Sequence, residues 1–267
     1  MRETLETVDG RSVLRMERRL PHPPDRVWRA LTEPAELAHW FPTPARIEPR
    51  AGGEVVYGEP GGDVGEVRDF QPPHLLAFTW GGDLLRWEVR PDGDGALLIL
   101  RHTFDDRFGA PSFAAGWHSC LDALAAALAG TAPADGSRDM AALLEKYIDV
   151  LGMAAGTADD DGVRFERQLS RPIPEVWDAL GGTPTGGRVP AGFTVAEFPP
   201  LEVADVKAPR LLEYDARPGR VRWELREGTG HGARLVLTHT CPPEHRRAAL
   251  AAWQDHLTGL ARRLLAG

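Results

Sequence analysis

The chain has 267 residues, 42% hydrophobic and 26% charged, with a formal net charge of -8. That length predicts two domains of ordinary size, each able to bury a core, in a composition typical of folded globular proteins. The negative balance, with arginines scattered among carboxylates, excludes a nucleic-acid surface, and no apolar run approaches the roughly 18 residues of a membrane span.

The N-terminal MRETLETVDGRSV is charged and lacks an apolar h-region, which predicts a cytoplasmic protein that is not exported. Arg15 to Leu20 alternates as a strand does. Pro23 and Pro24 stop it and leave Asp25 near the start of a helix with Val27, Trp28 and Leu31 on one face. A second short helix is expected over Pro34 to Phe41. Gly53 to Thr103 reads as an antiparallel meander, punctuated at Gly61-Gly62, Pro72-Pro73, Gly81-Gly82 and Pro91 to Gly95. Pro111 to Ala129 is a long helix with Phe113, Trp117, Leu121, Leu124 and Leu128 on one stripe, ending at Gly130. This order is that of an α+β domain.

After the loop TAPADGSR, Asp139 caps a predicted helix whose Met140, Leu143, Leu144, Tyr147, Ile148 and Leu151 form an apolar stripe that should dock. Ala154 to Asp161 is small and acidic, and is expected to be a flexible boundary.

The second half of the chain repeats the first. Arg15, Glu17, Arg18, Leu20, Pro23, Val27, Trp28, Ala30 and Leu31 recur 149 residues later as Arg164, Glu166, Arg167, Leu169, Pro172, Val176, Trp177, Ala179 and Leu180. Leu76, Arg86, Trp87, Glu88 and Arg90 recur at an offset of 136 as Leu212, Arg222, Trp223, Glu224 and Arg226, and LLILRHT ending at Thr103 returns as RLVLTHT ending at Thr240. Trp117, Leu121, Leu124 and Leu128 return as Trp253, Leu257, Leu260 and Leu264. Collinear matches along both halves mark a tandem duplication. The offsets of 149 and 136 make the second copy 13 residues shorter between its first helix and its middle strands.

The runs RVWRALTEPAELAHWFP, AGGEV, DFQPPHLLAFTW and ALLILRHTF resemble the Hsp90 ATPase activator homologue family, a branch of the START/Bet v 1-like (SRPBCC) superfamily. The resemblance covers residues 13 to 130. It is weaker in the second copy, where PRLLEY, RWEL and LVLTHT persist but Ala38 to Pro42 has no counterpart among Gly181 to Pro190. It implies two tandem helix-grip domains, each a curved antiparallel sheet around a long C-terminal helix with an apolar cavity between them. The expected organisation is a first domain over 1–130, a helical connector over 131–161 and a shortened, diverged domain over 162–267.

Strand alternation assigns the faces. Leu98, Leu100 and His102 point inward, as do Trp87 with Val89 and Leu76 with Phe78 and Trp80, all opposite Trp117, Leu121 and Leu124 of the long helix. Trp40 and Phe41, on a short helix beside loops, are placed to close the mouth. Of these, Trp40, Phe41, Phe78, Trp80, Trp87, Leu98, Leu100, His102, Trp117, Leu121 and Leu124 are the candidate ligand-binding set. His102 has neither a carboxylate at ligand spacing nor a second inward histidine beside it, and its recurrence as His239 favours a structural imidazole.

No nucleophile elbow, zinc-helix motif, phosphate loop or dinucleotide glycine pattern is present, so no catalytic residue, metal site or cofactor is assigned. Cys120 and Cys241 are too few for a disulfide framework or a cysteine zinc site. Two functions remain. One is a non-enzymatic module holding an apolar small molecule or acting on a protein client or chaperone. The other is an aromatase/cyclase of the polyketide type, with His102 or Arg86 assisting proton transfer. The shortening further predicts that the first copy keeps a ligand cavity while the second, with Gly181, Gly182, Gly186 and Gly187 at the lid position, serves mainly as a structural partner.

Overall fold

The computed structural model describes residues 3–58, 61–132 and 139–266. The chain parts into two compact units, one of residues 1–110 with 114–138, the other of 139–267 with 111–113.

The first unit runs β1 (Glu3–Val8), β2 (Arg11–Leu20), α1 (Pro24–Thr32), α2 (Pro34–Leu37), β3 (Ala45–Ile47), β4 (Glu54–Tyr57), β5 (Val64–Gln71), β6 (Leu75–Trp80), β7 (Asp83–Asp92), β8 (Gly95–Phe104) and α3 (Ala110–Leu128). Its eight strands form one antiparallel sheet in the order β1-β2-β8-β7-β6-β5-β4-β3. The second unit runs α4 (Met140–Val150), β9 (Thr157–Ala158), β10 (Gly162–Gln168), α5 (Ile173–Ala179), β11 (Pro200–Lys207), β12 (Leu211–Ala216), β13 (Arg220–Glu227), β14 (Ala233–Thr240) and α6 (Arg246–Ala266), with sheet order β11-β12-β13-β14-β10-β9. Deleting β3 and β4 from the first order leaves the second order, which places the 13-residue shortening on α2, β3 and β4. The architecture is two tandem α+β domains.

Alternation sets the faces of both sheets. Along β2, Leu14, Met16 and Leu20 are buried, and along β14 so are Leu235, Leu237 and His239. The opposite face is charged but covers apolar positions of its own. Ile99 and Val236 are buried there, each flanked in register by two glutamates, Glu17 and Glu88 for Ile99 and Glu166 and Glu224 for Val236. Arg86, Arg90 and Arg101 converge on Glu88, so their aliphatic stems and charged heads roof the isoleucine. Burial alone would raise the Glu88 pKa, but the hydrogen bond from Arg90 and the neighbouring guanidinium charges hold it below the ordinary carboxylate value.

Several expectations need correction. The first strand begins at Arg11 rather than Arg15, and β1 precedes it. Asp9-Gly10, both at positive φ, make the tight turn that a two-residue hairpin requires. The second helix ends at Leu37, short of Phe41, and the chain continues as a turn in which the amides of Trp40 and Phe41 both donate to Leu37 O, leaving both rings buried. In α4 the Asp139 side chain accepts from Ala142 N at 3.0 Å as the sequence suggested, and Leu144, Tyr147 and Ile148 are buried, but Met140 lies 46% exposed. The segment expected to be a patternless boundary contains β9, which pairs with β10 through a turn where Asp159 Oδ1 accepts from the amides of Asp161 and Gly162. Six residues of the expected loop TAPADGSR, 133–138, lie outside the described residues.

Candidate functional site

Three strands supply one wall of the site in the first unit. Leu76, Trp87 and Leu100 are cross-strand neighbours in one row, and Phe78, Leu85 and His102 form the next. All six are buried, as is Leu98 further along β8. α3 supplies the facing wall with Trp117, Leu121 and Leu124, also buried.

The turn after α2 brings two more rings between these walls. Trp40 stands edge-on to Trp87 with centroids 5.4 Å apart, and its Nε1 donates to Ala30 O at 2.8 Å. Phe41 lies 6.2 Å from Phe78, 5.4 Å from Trp80 and 6.0 Å from Trp117. The candidate aromatics therefore form one contiguous cluster, each pair at a separation where quadrupole geometry adds roughly 0.5–1.5 kcal/mol to area burial.

Trp80 differs from the rest because it is only half-buried. Its ring is stacked on Tyr57 at 5.3 Å and 17° and also meets Phe41, tilted by 34° at 5.4 Å. Tyr57 was not among the expected site residues. Its hydroxyl donates to Thr79 O at 2.6 Å, and burial pushes its pKa well above the usual phenol value. The inward alternation of β4, Val55 and Tyr57, was the available signal.

Outside the lid turn lies an open cleft of about 410 Å³ lined by Arg26, Glu36, His39 and the C-terminal end of α3. Arg26 and Glu36 meet there in a two-point ion pair at 3.1 Å.

His102 corrects the sequence reading in one respect, since a carboxylate does accompany it. Trp117 Nε1 donates to His102 Nδ1 at 3.1 Å, so Nδ1 carries no proton, and Nε2 donates to Asp83 Oδ2 at 2.8 Å. The Nδ1 bond ties α3 to the sheet, and the Nε2 bond fixes the imidazole against β7 within the sheet, so both ring nitrogens are engaged. The second unit repeats the clasp, with Trp253 Nε1 donating to His239 Nδ1 at 3.1 Å and His239 Nε2 to Pro218 O at 3.0 Å. Asp83 escaped notice because it is adjacent to His102 only through the β7–β8 pairing, 19 residues away in sequence. Arg86, the other residue considered for proton transfer, is on the outer face beside Glu88 and Asp69. Among the described residues no three metal-ligating side chains converge.

Residues 21–129 match the family model described as Activator of Hsp90 ATPase homolog 1-like protein. The first unit carries an activator-homologue-like domain. Similar solved structures include a conserved protein of unknown function from Enterococcus faecalis, 22% identical with a TM-score of 0.49, aligned over 56% of this chain and 90% of that one. CalU16 from Micromonospora echinospora is 22% identical with a TM-score of 0.45, over 57% and 94% of the two chains. A protein from Bordetella parapertussis is 27% identical with a TM-score of 0.43, over 51% and 84%. No curated protein matches the chain. The match to the family model ends before α4, so the second unit rests on the internal repeat and its own sheet.

The interior of the second unit is also closed, but by a residue the sequence reading missed. Phe193 comes after the glycine-rich stretch and is completely buried between Trp177 and Trp223, at 5.0 and 5.4 Å. The glycines at 181–187 were expected to leave the lid position without contact area. Phe193 supplies that area, and its pattern signal was faint, a lone aromatic between Gly192 and Thr194.

Proposed function

We propose that the activator-homologue-like domain is a non-enzymatic module that takes an apolar, planar small molecule between its sheet and α3, entering at the Phe41–Trp80 rim. The observation that carries this reading is the half-buried Trp80, in contact with Phe41 and Tyr57, at the edge of a cluster that is otherwise fully buried. A rim of three rings at the one half-buried edge of the cluster is where a planar ring would enter, and the walls behind it offer almost wholly apolar contact, the usual chemistry of a small-molecule site. A protein client or chaperone is the alternative partner, with the 410 Å³ cleft beside the lid as its contact.

The aromatase reading gains Asp83 as a partner for His102, but the imidazole has no free nitrogen to offer a substrate while Trp117 and Asp83 hold both. A group acting as general base needs a lone pair within reach of the proton it removes. The binding reading is therefore preferred.

The test is a titration of the full chain with a fluorescent apolar dye, together with a native mass spectrum of the freshly purified protein. Binding that weakens at least tenfold in Trp80→Ala supports the proposal. Unchanged affinity in that variant, or product formation from a polyketide-like substrate that is lost in His102→Gln, overturns it.

A further inference from the structure

We propose that the second unit contains a masked site for a single aromatic ring, whose permanent occupant is the chain's own Phe193. The proposal is independent of the reading for the first unit.

In the first unit, Trp40 meets Trp87 edge-on at 5.4 Å and 82°. Trp87 recurs as Trp223, and Phe193 meets Trp223 at 5.4 Å and 83°. The two rings reach the same geometry on equivalent tryptophans although no residue-for-residue match links the segments that carry them. The contact is therefore a property of the pocket, an aromatic slot walled by Trp223 and Trp177, with the second copy using a different part of the chain to fill it.

What distinguishes Phe193 is how firmly its turn is fixed. The Phe193 carbonyl accepts from Tyr214 Oη at 2.6 Å and from Trp223 Nε1 at 3.1 Å, and the preceding Gly192 carbonyl accepts from His256 Nε2 at 2.7 Å. Gly192 is required there, since a Cβ would lie 2.3 Å from Leu180 O. Two buried side chains and one half-buried histidine thus spend their polar groups on two consecutive carbonyls, whereas the Trp40 lid is tied by its own indole N–H to Ala30 O. A ring held in this way is an internal plug rather than a lid.

An apolar slot emptied of its ring stays dry and accepts a small aromatic molecule. In full-length Phe193→Ala, benzene is expected to shift the indole N–H resonances of Trp177 and Trp223 saturably. At about ten times its dissociation constant it should raise the unfolding midpoint by roughly 5 °C beyond its effect on the unmodified chain. If Phe193→Ala does not fold, Phe193→Val and Phe193→Leu carry the same test, with benzene rescue growing as the side chain shrinks. Absence of rescue across the series, or equal shifts of these two indoles in the unmodified chain, overturns the proposal.

Discussion

Removing the Glu145 carboxylate should destabilise the second unit far more than removing a surface charge. Arg167 on β10 is only 4% exposed, and its Nη2 lies 2.6 Å from both carboxylate oxygens of Glu145 on α4. Its Nε donates to Gln168 O at 3.1 Å, so the charge of this buried guanidinium is balanced by Glu145. Breaking a buried pair costs about 3–5 kcal/mol because the remaining charge is stranded. Glu145 is 17% exposed, so some water reaches the vacated space and the lower end, about 3 kcal/mol, applies. For a unit of this size that lowers the unfolding midpoint by roughly 10 °C. The comparison that isolates the mechanism is Glu145→Leu combined with Arg167→Met, which removes both charges and should recover to within about 1 kcal/mol of the unmodified chain, or exceed it. Chemical denaturation followed by tryptophan fluorescence gives both values. A loss below about 1 kcal/mol for Glu145→Ala would mean the pair behaves as an exposed one. A double variant as unstable as the single one would mean that the helix, and not the stranded charge, carries the effect.

Trp40→Ala should cost about 3–5 kcal/mol, from lost burial against Trp87 and an unmet Ala30 carbonyl, and should weaken dye binding in a full-chain titration. Gly162→Ala should disrupt the β10–β14 pairing, because its Cβ would meet His239 O at 2.1 Å; circular dichroism and thermal unfolding would show it. Burial lowers the pKa values of His239 and His256 from the ordinary histidine value, so the folded chain holds fewer protons on them than the unfolded chain does. The unfolded chain then binds more protons below pH 6.5, so stability falls as pH drops through that value, and His256→Gln should reduce the slope measured by denaturation between pH 7 and 5.

What could be read from the sequence was whatever local periodicity or repetition encodes. Leu98, Leu100 and His102 alternate within one strand, and Trp117, Leu121 and Leu124 keep helical spacing, so their inward faces needed no tertiary knowledge. All three strand residues and all three helix residues are buried. The misses were long-range or conformational. Asp83 reaches His102 only through strand register, and Tyr57 reaches Trp80 only because the sheet brings β4 past β6. Phe193 is placed by a turn whose fixing donors, Tyr214, Trp223 and His256, come from three separate elements. The hairpin at Asp9-Gly10 was legible in principle, since an Asp-Gly pair is a strong turn signal, but the charged flanks of β1 hide the strand it joins.

The duplication also separates what the fold needs from what one copy has added. The Trp–His bond recurs at 3.1 Å in both units while the partner of the far imidazole nitrogen changes from the Asp83 carboxylate to the Pro218 carbonyl. Any acceptor at that position is enough, which is what a clasp between terminal helix and sheet requires and what a proton-transfer group does not tolerate. The tryptophans at 87 and 223 are likewise shared, and each receives a ring edge-on. The features confined to the first unit are different in kind. They are the Phe41–Trp80–Tyr57 rim, built on the lid turn and β4, and the second unit has Ala216 where the repeat places Trp80. A feature present in one copy and dispensable to the other copy's fold is the better place to look for function, and the rim meets that condition where the histidine does not.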